Sequence, residues 1–213
     1  MKARPFCNVT ICLLALALAA GCGQKQEATP ASQDAASADQ GNGAAPGAPH
    51  VDASQSPTAD PSSPLYGWEK FSSAEGKFSA IFPARPKEDD KTEQGKGAEV
   101  QMHLFIAETD AHNAYAAGYY DLTRVDDPKL VLARMEDGMI KKHNGKINSY
   151  KAMQWNGQPA TEFEFTFGDL PNFSSTVRLM SDGLRVYVLM AIYATGQPPV
   201  AEREAFFNSF SLQ

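Results

Sequence analysis

From residue 66 to the C-terminus the sequence predicts an α+β domain, a largely antiparallel sheet flanked by helices. Three observations carry that prediction. Apolar residues alternate with polar ones in several short runs, the half-buried strand pattern. Two stretches open with proline and continue apolar at helical spacing. Asn156-Gly157 separates two strand-like runs, the strongest short hairpin signal. Composition sets the boundary: apart from Phe6, every aromatic residue of the chain lies at or beyond Tyr66.

In chain order, Trp68 to Ser72 and Lys77 to Phe82 read as a hairpin around Ala74-Glu75-Gly76, with Phe78, Ala80 and Phe82 on one face. Pro83 and Pro86 end it, because proline cannot donate to a ladder. Residues 87–97 are charged and turn-rich and read as a solvated loop or the tip of a long hairpin. Val100, Met102, Leu104 and Ile106 alternate with Gln101 and His103 as a strand, and Tyr115 to Thr123 is its expected partner. Asp126-Asp127-Pro128 starts a helix through Leu132, Met135 and Met139, and Lys141-Lys142-His143 closes it as cations at the dipole's negative end. Ile147 to Trp155 and Thr161 to Phe167 flank the Asn156-Gly157 turn, with Phe163, Phe165 and Phe167 inward and Glu162 and Glu164 outward. Phe173 to Met180 is a strand. After Ser181-Asp182-Gly183, Leu184 to Tyr193 is apolar on both faces and so central in the sheet. Pro198-Pro199 opens a last helix through Phe206, and Phe210-Ser211-Leu212 adds a closing strand. Two apolar helices imply cover on both faces of the sheet.

The N-terminal third is of another kind. Lys2 and Arg4 precede an apolar stretch from Val9 to Ala20, which closes on the small residues Ala19, Ala20 and Gly21, the layout of a secretory signal over residues 1–21. The uncharged run falls short of the ~20 apolar residues that span a hydrocarbon core, so a retained transmembrane helix fits less well. Residues 23–65 are mostly Ala, Ser, Pro, Gly, Gln and Asp, with only Val51 and Leu65 as larger aliphatics. Such a segment buries too little apolar surface to offset its ordering entropy and is expected to be a disordered tether. As a flexible coil it would span about 35–40 Å. It serves either as a leash or as a plain solubilising spacer.

Charge narrows the partners. The whole chain has 19 Lys and Arg against 25 Asp and Glu, net −6, and loss of Lys2 and Arg4 with the signal makes it −8. An acidic chain without a basic stripe is unsuited to nucleic acid. Of the three cysteines, Cys7 and Cys12 would leave with the signal, so the domain has no disulfide and rests on its apolar core.

Two resemblances add to this reading. Leu18-Ala19-Ala20-Gly21-Cys22 resembles the lipobox of bacterial lipoproteins, although Ala19 stands where leucine is commoner. The resemblance implies cleavage before Cys22, lipidation of its thiol with acylation (palmitate) of its amine, and a lipid-anchored chain. Gly23 in place of aspartate implies the inner leaflet of an outer membrane, facing the periplasm. Farther on, Phe78-Ser79-Ala80-Ile81-Phe82-Pro83-Ala84-Arg85-Pro86, Thr161-Glu162-Phe163, Arg178-Leu179, Leu184 to Leu189 and Phe206 to Phe210 resemble the Mog1/PsbP-like fold over residues 66–213. That fold implies a sheet between helices. Its members are mostly binding or assembly modules, from photosystem accessory proteins to envelope lipoproteins. No functional residue of that family carries over.

Chemical motifs are sparse. His50, His103, His112 and His143 lack the spacing of a helical metal site, and no thiolate accompanies them, so no metal and no cofactor is expected. His103 and His112 could meet across a hairpin, but read better as neighbours on a surface. Glu88, Asp89, Asp90 and Glu93 are interrupted by Lys87 and Lys91 and lack EF-hand spacing. Ser174-Ser175 has no evident base, and no nucleophile elbow is present. Glu162 and Glu164 opposite Arg178 and Arg185 read as cross-strand charge pairs. A ligand site, if any, is expected along that polar strip and the cluster of Tyr115, Tyr119 and Tyr120. The functional expectation is a non-enzymatic envelope lipoprotein, a binding or assembly module with a protein partner in the envelope. A small-ligand-binding periplasmic domain is the alternative.

Overall fold

The computed structural model describes residues 60–95, 98–109, 113–123 and 126–213. The expected signal, Cys22, most of the tether, His50 and His112 lie outside the described residues. Leu65, the last residue of the expected tether, is buried.

Strands β1 (Glu69–Ser73) and β2 (Phe78–Phe82) form the expected hairpin, and Phe78, Ala80 and Phe82 are fully buried. Next comes β3 (Lys87–Gly95), paired residue for residue with β4 (Ala98–Glu108). The stretch expected as a loop or hairpin tip is thus an edge strand. Its charged side chains concealed it, yet charges are what protect an edge from pairing with another chain. β5 (Ala114–Asp121) follows, antiparallel to β4.

Helix α1 (Pro128–Lys142) begins where the sequence placed it. Asp127 caps it, accepting from the Lys129 amide at 2.9 Å, and Pro128 occupies the first turn. β6 (Lys146–Trp155) and β7 (Gln158–Thr166) meet at Asn156 (φ 51°) and Gly157 (φ 79°). Both residues of that two-residue turn are left-handed, as the twist of a tight hairpin demands. β8 (Phe173–Ser181), β9 (Arg185–Ala194), helix α2 (Val200–Ser209) and the short β10 (Ser211–Leu212) complete the chain.

Seven strands form one antiparallel sheet in the order β3-β4-β5-β9-β8-β7-β6. The opening hairpin does not join it. It forms a second sheet, β1-β2-β10, which with α2 covers one face of the large sheet. There Phe78, Phe82, Phe206 and Phe207 pack on Tyr115, Tyr187, Leu189 and Tyr193. On the opposite face α1 lays Val131, Leu132, Met135 and Met139 against Phe163, Phe165, Val177 and Val188. β9 lies between β5 and β8, with Val186, Val188, Met190 and Ile192 in one core and Tyr187, Leu189, Ala191 and Tyr193 in the other. This accounts for its apolar character on both faces.

Beside it, Gly118 admits the His103 backbone closely: a Cβ there would stand well inside contact of the His103 carbonyl oxygen. Any larger residue would push β4 and β5 apart.

His143 departs from the sequence expectation. It is the C-cap residue of α1 but 8% exposed, with its ring 5.1 Å from that of Phe167 and 6.3 Å from that of Phe165. Burial holds its pKa below the ordinary imidazole value, against the pull of Asp169. It is therefore a neutral packing residue and not a terminal cation. Because the unfolded chain takes up the proton first, stability falls as pH drops below the ordinary value of about 6.5 toward the depressed folded value. Thermal unfolding between about pH 7.5 and about pH 5.5 should lose stability more steeply in the native chain than in His143→Gln. Equal slopes would refute the assignment.

Candidate functional site

The strip and the tyrosine cluster expected from the sequence are redistributed by the sheet. Tyr115 and Tyr119 share the α2 face of β5, whereas Tyr120 points into the α1 core, as strand alternation requires. Tyr115 is fully packed, its ring 4.8 Å from that of Trp68 and 5.2 Å from that of Phe206.

The charged strip also divides. Arg178 Nε and Nη2 donate to Glu162 Oε2 at 2.8 and 2.6 Å, the expected cross-strand pair. Arg178 is buried, however, with its guanidinium 5.0 Å from the Trp155 ring and 4.8 Å from the Phe207 ring. Arg203 on α2 extends the polar seam by donating to Thr176 Oγ1 at 3.1 Å, which also meets the Tyr193 hydroxyl at 2.8 Å. These contacts seat α2 on the sheet and leave Arg178 no free face for a ligand. Glu164 opposes Thr176 and is reached by Asn148 Nδ2 at 3.4 Å. Arg185 lies elsewhere, binding both carboxylate oxygens of Asp121 at 2.5 and 2.8 Å. Ser174 sits between Thr166 and Thr195 hydroxyls, each at 3.1 Å, a structural arrangement and not a nucleophile's.

Of the expected residues, Tyr119 does line a cleft. It measures about 280 Å³ and lies where the β1–β2 turn overhangs the β3 end of the large sheet. Phe71, Phe105 and Tyr119 give it aromatic surface, and Glu75, Arg85 and Glu88 give it charge. That volume is just below the usual ~300–1,000 Å³ of small-molecule sites.

Beside the cleft a row of side chains crosses three strands in register, Asp90 opposite His103 and His103 opposite Tyr119. His103 Nδ1 lies 2.8 Å from Asp90 Oδ1, and its ring stacks on Tyr119 at 4.7 Å. The Arg185 guanidinium lies 4.2 Å from the same tyrosine ring and donates to the Glu75 carbonyl at 2.9 Å. Burial pushes the Tyr119 phenol far above its ordinary pKa, and Glu75 adds to the shift, so this hydroxyl stays protonated. Glu88, two residues before Asp90 on the same face, has its carboxyl raised by burial and by the charge of Asp90. Sequence reasoning missed Phe71, Glu75, Arg85 and Phe105, which come from separate elements. Nothing in the sequence marks them as one group, and the consecutive acids Glu88, Asp89 and Asp90 carry no strand period.

Comparison with known proteins fits this geometry at the level of fold. No family model matches the chain, and no curated protein sequence does. A structural match is the solution structure of cyanobacterial PsbP (CyanoP) from Synechocystis sp. PCC 6803, with a TM-score of 0.50 and 10% identity. The match covers 68% of this chain and 92% of that one. The domain has a PsbP-like fold. At that identity the likeness speaks of fold alone, in agreement with the framework residues that resembled it in sequence.

The seat of α2 can be tested through its buried ion pair. Arg178→Ala should destabilise the fold by about 3 kcal/mol, because Glu162 is left half-buried without its partner. Arg178→Met combined with Glu162→Gln should recover most of that loss in chemical denaturation. An Arg178→Ala variant as stable as the native chain would contradict the description.

Proposed function

We propose that this chain is an exported lipoprotein, held by lipid on Cys22 and carrying its PsbP-like domain on the tether as a non-enzymatic binding or assembly module. The observation that carries this reading is Leu18-Ala19-Ala20-Gly21-Cys22 closing a short apolar leader and followed by the tether. One acyl chain gives only reversible membrane binding, whereas two or three on one residue hold a protein permanently. Gly23 favours the inner leaflet of an outer membrane, so the domain would face the periplasm. Among the described residues no helix is long and apolar enough to cross a membrane. The module reading is supported by the absorption of Arg178, Ser174 and Tyr115 into packing, since none of them is held ready for chemistry.

The native chain should incorporate labelled palmitate and sediment with membranes. Cys22→Ala should incorporate none and appear in the soluble fraction. Palmitate labelling that survives Cys22→Ala would remove the anchor from the proposal. Crosslinking in intact envelopes should recover one protein reproducibly with the native chain and lose it with Cys22→Ala; no specific recovery would count against the assembly role.

The cleft supports a second reading, a small-ligand-binding domain. Its size and aromatic walls suit a compact ligand, and Glu75, Arg85 and Glu88 supply polar contacts. A small-molecule extract that raises the melting temperature of the native chain but not of Tyr119→Ala would favour it over the assembly module. No stabilisation of either would set it aside.

A further inference from the structure

Residues that sequence spacing kept apart are brought together at the β3 edge of the large sheet. Glu88 and Asp90 lie two apart on β3, and the β3–β4 register sets His103 directly across from Asp90. One potential donor atom from each of the three lies within 4.8 Å of the others. We propose that Glu88, Asp90 and His103 form a binding site for a divalent transition-metal ion of the zinc class, on the outer strands beside the cleft.

The geometry is close to what such an ion needs. Tetrahedral zinc with bonds of about 2.0–2.2 Å sets its ligand atoms about 3.3–3.6 Å apart. The 2.8 Å between His103 Nδ1 and Asp90 Oδ1 must open slightly, and Glu88 must close in, both within the reach of side-chain rotation. The ion takes the place of the Nδ1 proton shared with Asp90; that proton moves to Nε2, or to solvent where Nε2 already holds one, and the bound imidazole is neutral. His103 is pre-positioned for this by its stacking on Tyr119 and by a side chain only 16% exposed. The carboxylates are more exposed, so an ion can enter from solvent. The charges acting on Glu88 are those of Asp90, His103 and Glu75, a predominantly anionic field that a cation would relieve.

The donor set selects the class of ion. An imidazole nitrogen with two carboxylates suits zinc, nickel or copper. Calcium needs six to eight oxygens, and magnesium keeps most of its water. Three protein donors leave a fourth position for water, and Glu88, shared between the triad and the cleft lining, sets the site beside the cleft. The ion would also clip the edge strand β3 to β4, replacing the Asp90–His103 side-chain hydrogen bond with ligation from both strands. The histidines lack the spacing of a helical metal site, and no thiolate accompanies them. A β-ladder satisfies the requirement differently, through one pair on alternate positions of a strand and one residue across from it.

The inference does not depend on the lipid anchor, and its test removes the thiols that would bind zinc on their own. The full-length chain carrying Cys7→Ser, Cys12→Ser and Cys22→Ser, in detergent, is titrated with zinc by calorimetry and followed by thermal unfolding. One ion per chain should bind and raise the melting temperature, and excess magnesium should not displace it. His103→Gln and Glu88→Gln should each weaken binding by about tenfold or more, whereas His143→Gln should leave it unchanged. Affinity should also decline in acid, because protons compete with the ion for its donor atoms. Absence of binding, or affinity unchanged in both His103→Gln and Glu88→Gln, would overturn the proposal. Should His103→Gln fail to fold, the exposed Glu88 side chain makes Glu88→Gln decisive alone.

Discussion

The fold depends on one constraint: β9 is apolar on both faces and must be covered on both. A strand with one wet face could sit anywhere in an antiparallel sheet, whereas this one requires flanking strands and two covering layers. α1 supplies one layer through Val131, Leu132, Met135 and Met139. The other layer is composite, because the ten residues of α2 are too few to cover a seven-stranded sheet. The β1–β2 hairpin completes it with Phe78 and Phe82, and β10 fastens the C-terminus to β2. The two ends of the domain thus meet in one small sheet, so the cover is closed by residues far apart in the chain.

Polar groups follow from that closure. Arg178 falls under α2, where a charge is tolerated because Glu162 binds it through two hydrogen bonds and two aromatic rings flank it. At the other end, the composite cover stops short of the sheet edge. The β1–β2 turn and the start of β3 come together over Phe105 and Tyr119 without filling the space between them. That incomplete cover is the physical origin of the cleft. It also explains why Glu88, Asp90 and His103 remain accessible while Arg178 and Ser174 do not.

The match to a PsbP-like structure at 10% identity is consistent with this account. What the two chains need to share is the pattern of alternating apolar residues and the order of elements, and both tolerate extensive substitution when volume and patterning are kept. Specific function needs particular side chains in particular places, which such a likeness does not carry. The polar edge of this domain is therefore a property to be argued from its own residues.

Local rules made most of the elements legible in the sequence. The Asp127 cap with Pro128, the Asn156-Gly157 turn and the Phe163-Phe165-Phe167 alternation each depend on neighbours within a few residues, and each stands where it was expected. The central position of β9 was legible for the same reason, since burial on two faces leaves a continuous apolar run. Tertiary structure alone decided the rest. Lys87 to Gly95 forms a strand because β4 offers it a ladder, a long-range gain that outweighs its charged composition. His143 looked like a terminal cation until packing on Phe165 and Phe167 withdrew it from water. Glu88, Asp90 and His103 meet only through the register of two strands, and register is set by pairing across the sheet, not by spacing along the chain.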